Sequence, residues 1–243
     1  FTYLPNADYT GADIFVVQVS DGTFTVEITV PVQVDPQPDA PVITSLEGNA
    51  TASISVAENQ TAVIDVNAID GDVGVGGTLT YGITGGADQS KFGIVPITGV
   101  LTFITAPDFE IPTDVGFDQS YEVEVTVTDS DGATADAIQT ITVTVTDVNE
   151  APVIDQGAGP LAVPISEDGS PIGWLGTALT ATDPDAGDTA ILIWSVSSTP
   201  SDGTADYSGN GATTSTFSYV PNGNYNGADS FVVQVSDGKT GTD

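Results

Sequence analysis

The stretch YEVEVTVT, Tyr121 to Thr128, alternates without a break and puts Tyr121, Val123, Val125 and Val127 on one face. Period two over this length reads as a half-buried antiparallel strand. ITVTVT repeats the pattern with Ile141, Val143 and Val145. Thr, Val and Ile suit such positions because β-branched side chains fit the pleat. TAVIDVNA, TLTYGIT, GVLTFIT, ILIWSVSS and FVVQVS read as further strands, punctuated by Gly, Pro, Asp and Asn. No stretch of ten or more residues carries an apolar stripe of period 3.6, so the chain reads as all-β.

Internal similarity sets the organisation. FTYLPNADYTGADIFVVQVSDG at Phe1 and FSYVPNGNYNGADSFVVQVSDG at Phe217 agree at sixteen of 22 positions, an offset of 217 − 1 = 216 residues. APVI occurs at Ala40 and again at Ala151, an offset of 151 − 40 = 111. A period near 110 with a double period near 216 means tandem domains. The expected division is the C-terminal part of one repeat over 1–40, a complete repeat over 41–149, and a repeat lacking its last strand over 150–243. About seven short strands per 110 residues predicts a Greek-key β-sandwich for each, in an elongated tandem array. Trp174, Trp194, Tyr81, Phe92 and Phe103 read as core or rim aromatics. Phe1 opens inside a segment that reads as strand and no signal peptide precedes it, so the sequence reads as an internal piece of something longer.

Composition narrows the function. The 243 residues carry 34 acidic and two basic side chains, Lys91 and Lys239, for a formal charge of −32. Binding to nucleic acid or to an anionic membrane needs Lys and Arg to neutralise phosphate, so neither is expected. Nor does any run of 18 apolar residues exist to insert into a bilayer. With no His and no Cys, the chain lacks the usual zinc, copper and iron ligands, and the Ser-His-Asp and Cys-His nucleophile systems. Without disulfides, an extracellular β-protein depends on a large core or on metal ions.

The acids fall mostly in loops, in a set order. The middle repeat carries VAENQ with Glu58, AIDGDVG with Asp70 and Asp72, APDFE with Asp108 and Glu110, VTVTDSDG with Asp129, and TDVNEAP with Asp147, Asn149 and Glu150. Taken singly, each reads as a turn-forming or solvated acid. As an ordered set they offer oxygen ligands from separate places, which is what a hard divalent cation needs. Calcium takes six to eight oxygens at roughly 2.3–2.6 Å.

This order and spacing resembles the cadherin repeat, with its XEX, DXD, LDRE-like, DXG and DXND elements, and LTYGITGG, FGI and TGVLTF resemble its core. The third repeat is similar to the cadherin-like tandem repeats of large bacterial surface adhesins, through ISEDG (Glu167, Asp168), ATDPDAGD (Asp183, Asp185, Asp188) and VVQVSDG (Asp237). It lacks an element of the DFE type. The resemblance implies a calcium site at the junction of the second and third repeats. Glu58, Asp108, Glu110, Asp147 and Glu150 would supply the upstream half, Asn149 the linker, and Asp183, Asp185 and Asp237 the downstream half. At the first junction, VQVDPQPDAPVI, Pro36 and Pro38 fall where Asp147 and Asn149 sit, and Asp39 matches Glu150. With Asp70, Asp72 and Asp129 this implies a weaker site, partly stiffened by proline.

A glycosidase acid–base pair made of Asp108 and Glu110 is possible by residue type alone, but no cleft-forming insertions accompany it. DSDG and DPDAGD lack the full EF-hand spacing. The expected function is therefore a non-enzymatic, Ca2+-rigidified extender or adhesion module of a large bacterial extracellular or cell-surface repeat protein. Its partners would be other repeats of the same protein, with homophilic, cell-surface or glycan contacts. The alternative is a structural subunit of an extracellular filament, sheath or matrix, assembled by lateral or donor-strand contacts.

Overall fold

The computed structural model describes all residues except 8, 36, 72–77, 131–134, 158, 168–171, 174–178, 209, 213–215 and 240–243. The regular elements among the described residues are strands, apart from three short 3₁₀ turns, and the chain separates into two compact units, Phe1–Thr146 and Asp147–Asp243.

In the first unit, Gly11–Ser20 and Thr25–Val34 form an antiparallel hairpin from Gly11↔Val34 to Ser20↔Thr25. Its turn is built by Asp21, whose Oδ1 accepts the amides of Thr23 and Phe24, both at 2.8 Å. A sandwich follows. One sheet has the spatial order Thr51–Ala57, Ala137–Thr146, Ser120–Asp129, Leu79–Gly85. Thr51–Ala57 runs parallel to Ala137–Thr146, and the other pairs are antiparallel. The other sheet has the order Ala62–Asp65, Val100–Phe103, Phe92–Ile94.

The alternating face of Tyr121–Thr128 turns into the core between these sheets: Val123, Val125, Val127, Ile141, Val143, Leu101 and Val66 are fully buried. Phe92 and Phe103 stack at 4.6 Å, and the Tyr121 ring meets Phe103 edge-on at 5.2 Å. Two polar residues depart from simple alternation. Thr126 is buried on the outer face because a bulge opposite Glu124 and Val125 brings Thr84 over it, with the hydroxyls 2.5 Å apart. Gln139 is buried with its Nε2 donating to the carbonyls of Ser45 and Asn49. At the Thr98–Gly99 turn, Gly99 has φ +71° and a Cβ there would lie 2.1 Å from the Val66 carbonyl oxygen, so no other residue fits.

The second unit is knit from shorter pairings: Val153–Ile154 with Ala181–Thr182, Ile193–Ser198 with Val232–Ser236, and Thr216–Pro221 between Ile172–Gly173 and Gly203–Ser208. Its core is Trp194, Leu192, Phe217, Val235, Leu179 and Ala181. Phe217 meets Trp194 edge-on at 6.2 Å, and the indole N–H donates to the Gly211 carbonyl. Of the aromatics expected in cores, Tyr81, Phe92, Phe103 and Trp194 are buried; Trp174 lies outside the described residues.

Candidate metal centres

Each unit gathers acids at sites built by its own backbone. In the first unit Glu58 follows the strand Thr51–Ala57 and is 3% exposed. Its amide donates to the Thr146 carbonyl at 3.0 Å, while its Oε2 accepts the Phe109 amide at 2.7 Å. Asn59, at φ +61°, donates its amide to the Pro107 carbonyl and closes the same turn. Asp108 caps its own loop by accepting the Ile111 amide at 2.8 Å, and the Gln119 side-chain amide donates to the Phe109 carbonyl. These bonds hold one carboxylate oxygen from each of Glu58, Asp108 and Glu110 within 4.8 Å of the others.

In the second unit the linker residues meet the acids of the DPD and SDG loops. Asn149 Nδ2 donates to Asp237 Oδ2 at 2.7 Å, and the Glu150 amide donates to Asp185 Oδ2 at 3.0 Å. Asp147 and Asp185 offer oxygens within 4.8 Å of each other. Asp183, Asp188 and Asp237 form a second trio within the same limit, and all three are buried. Two turns place them. Asp183 Oδ1 accepts the Asp185 amide at 3.0 Å, and Gly187, at φ +92°, reverses the chain into the short 3₁₀ turn Asp188–Ile191.

Burial raises the Asp183 carboxyl above the usual aspartate range, and the charges of Asp185, Asp188 and Asp237 push it further the same way. Asp237 is shifted down, chiefly by the Asn149 amide. Asp183 Oδ2 and Asn149 Oδ1 are buried atoms with no hydrogen-bond partner among the described residues. Carboxylate and amide oxygens, some of them desolvated and unpartnered, form the donor set that calcium prefers, and no nitrogen or sulfur ligand competes. The residues present fit a hard cation.

Asp188 is absent from the ligand set expected from sequence. Its signal was the third acid of ATDPDAGD, and only the turn at Gly187 brings it to Asp183 and Asp237. At the first junction Asp39 is placed against Gly71, beside Asp70, and Asp129 binds the Ser130 amide through Oδ1. Among the described residues Asp39, Asp70 and Asp129 form no trio like the two above. Asp72, Asp168 and Pro36 lie outside the described residues. Two buried acids of the first unit serve the fold instead. Asp88 accepts the amides of Val115 and Glu122, and Asp114 those of Asp118 and Gln119.

Residues 52–146 match the family model of the cadherin domain, and residues 149–243 that of the bacterial Ig domain. Successive stretches of the chain thus match a cadherin domain and a domain of bacterial Ig type, families of non-enzymatic modules of all-β fold. A stretch of 67 residues is 40% identical to Halomucin of Haloquadratum walsbyi, covering 27% of this chain and 1% of that protein. Among solved structures, human CDH23 EC21-23 aligns over 96% of this chain and 71% of its own, at 17% identity and a TM-score of 0.54. The protocadherin gammaB7 EC3-6 cis-dimer structure aligns over 98% and 59%, at 23% identity and 0.52. Protocadherin gamma B7 domains 1-4 align over 97% and 56%, at 21% identity and 0.50. These likenesses carry the fold. The chain spans a hundredth of Halomucin and little more than half of the two protocadherin chains. Among the described residues, no helix is long and apolar enough to cross a membrane.

Proposed function

We propose that this chain is a calcium-rigidified extender and adhesion segment of a large extracellular or cell-surface repeat protein. Calcium is held where Asp147–Glu150 joins the two units, by Glu58, Asp108 and Glu110 before the linker and Asp183, Asp185 and Asp237 after it. Asp39, Asp70, Asp72 and Asp129 serve a weaker site at the first junction. The observation that carries this reading is the burial of Glu58, Asp183, Asp185, Asp188 and Asp237, all at most 8% exposed, in a chain with two lysines. Two like charges 4 Å apart repel by about 1 kcal/mol in water and about 4 kcal/mol at an effective dielectric of 20. A divalent ion reverses that sign, and at 100 times its dissociation constant stabilises the bound form by about 2.7 kcal/mol. The Halomucin likeness supports a very long parent protein, and the cadherin domain supports contacts between copies or repeats.

The test is a calcium titration by calorimetry, paired with small-angle scattering in chelator and in millimolar calcium. Tight binding together with a longer, narrower distance distribution in calcium is the expected result. No heat of binding and an unchanged maximum dimension reject the reading.

A further inference from the structure

Lys239 is one of only two basic side chains, and it sits on the acidic trio of the second unit. Its Nζ lies 2.6 Å from Asp188 Oδ2, while its own backbone amide donates to Asp237 Oδ1 at 2.8 Å. One residue therefore touches two of the three trio members, by ammonium and by amide. The third member, Asp183, is 8% exposed, and its Oδ2 has no hydrogen-bond partner among the described residues. That desolvated oxygen is left for a cation the ammonium does not itself satisfy. The lysine side chain stays 51% exposed, so the ammonium can swing into solvent without unpacking anything.

We propose that Lys239 is a tethered cation that competes with calcium for the Asp183–Asp188–Asp237 trio, holding these acids together in ion-poor surroundings and yielding Asp188 to the metal as calcium rises. The proposal rests on the calcium reading above and adds a residue that sets the affinity of one site. The reason is charge: an ammonium on Asp188 compensates one carboxylate, whereas a divalent ion compensates two and accepts all the free oxygens at once.

The test uses the full chain and calcium itself. Lysine acylation followed by peptide mass spectrometry reads Lys239 against Lys91 as an internal control. Calcium should raise Lys239 labelling at least about threefold and leave Lys91 unchanged. In parallel, Lys239→Gln should bind calcium roughly fivefold more tightly at one site, the order expected for removing one partly exposed ion pair, and should melt lower than the parent chain in chelator. If calcium binds while Lys239 labelling and the Lys239→Gln affinity both stay unchanged, the competition is overturned and the calcium reading stands. If neither chain binds calcium, both fall. The labelling arm needs no variant, so a poorly folded Lys239→Gln does not rescue the proposal.

Discussion

Asn149 donates its side-chain amide to Asp237 Oδ2 at 2.7 Å, linking the first residues of the second unit to the loop that follows its strand Val232–Ser236. One oxygen of Asp237 is thereby aimed and held, while Oδ1 takes the Lys239 amide. Replacing Asn149 by Ala removes the group that orients a proposed ligand. Outer-shell partners of metal ligands commonly contribute ten- to a hundredfold in affinity, so Asn149→Ala should weaken calcium binding by about tenfold in a calorimetric titration, without unfolding the chain.

The proposed junction predicts a contrast among acids. Asp147→Ala and Glu110→Ala should lower both calcium affinity and the melting temperature measured in calcium. Asp118→Ala should alter neither appreciably, because its Oδ1 only accepts the Ser120 amide at an exposed turn. Equal effects at all three would mean that overall charge alone matters.

Asp114, a buried acid of the first unit outside the proposed ligand set, gives a pH prediction. Burial works to raise its carboxyl, but the amides of Asp118, Gln119, Gly116 and Asp114 itself together outweigh burial and hold it below the usual aspartate range. A carboxyl lowered in the folded state adds stability that is fully present above its unfolded value, near 3.9, and is lost as pH falls through its lower folded value. Asp114→Ala should cost about 1–3 kcal/mol at pH 7, the range for buried donors left without an acceptor. The difference between the two chains in thermal melts should shrink below about pH 4.

Leu101 and Ile14 separate core from surface. Leu101 is fully buried, whereas Ile14 is 64% exposed. Leu101→Ala should destabilise by about 2–5 kcal/mol, and Ile14→Ala should stay within about 0.5 kcal/mol. Denaturant midpoints of the two variants against the parent chain check this.

Much was legible along the chain because it depends on near neighbours. Alternation over Tyr121–Val127 and Ile141–Val145 predicted which side chains enter the core. The SDG turn follows from Asp21 reaching amides two and three residues on. The repeated motif even builds the same clasp twice: Tyr3 donates to Asp13 at 2.7 Å, and Tyr219 to Asp229 at 2.8 Å. Each acceptor lies ten residues beyond its donor, within reach of one loop.

Burial and charge pairing needed the fold. Val19 and Val235 occupy matching places in identical FVVQVS segments, yet Val19 is 70% exposed and Val235 is fully buried, because Val235 pairs with Trp194 across the sheet and joins its cluster. Thr126 and Gln139 are buried by partners 42 and 90 residues away. Asp188 and Lys239, 51 residues apart, meet only because the Gly187 turn and the SDG loop bring them together. Sequence alone determined the β-strands, the turns and the order of the acids, since those rest on local backbone geometry and side-chain period. Tertiary structure decided which identical residues lie inside and which charges share a site, since both depend on contacts between distant segments that no local pattern encodes.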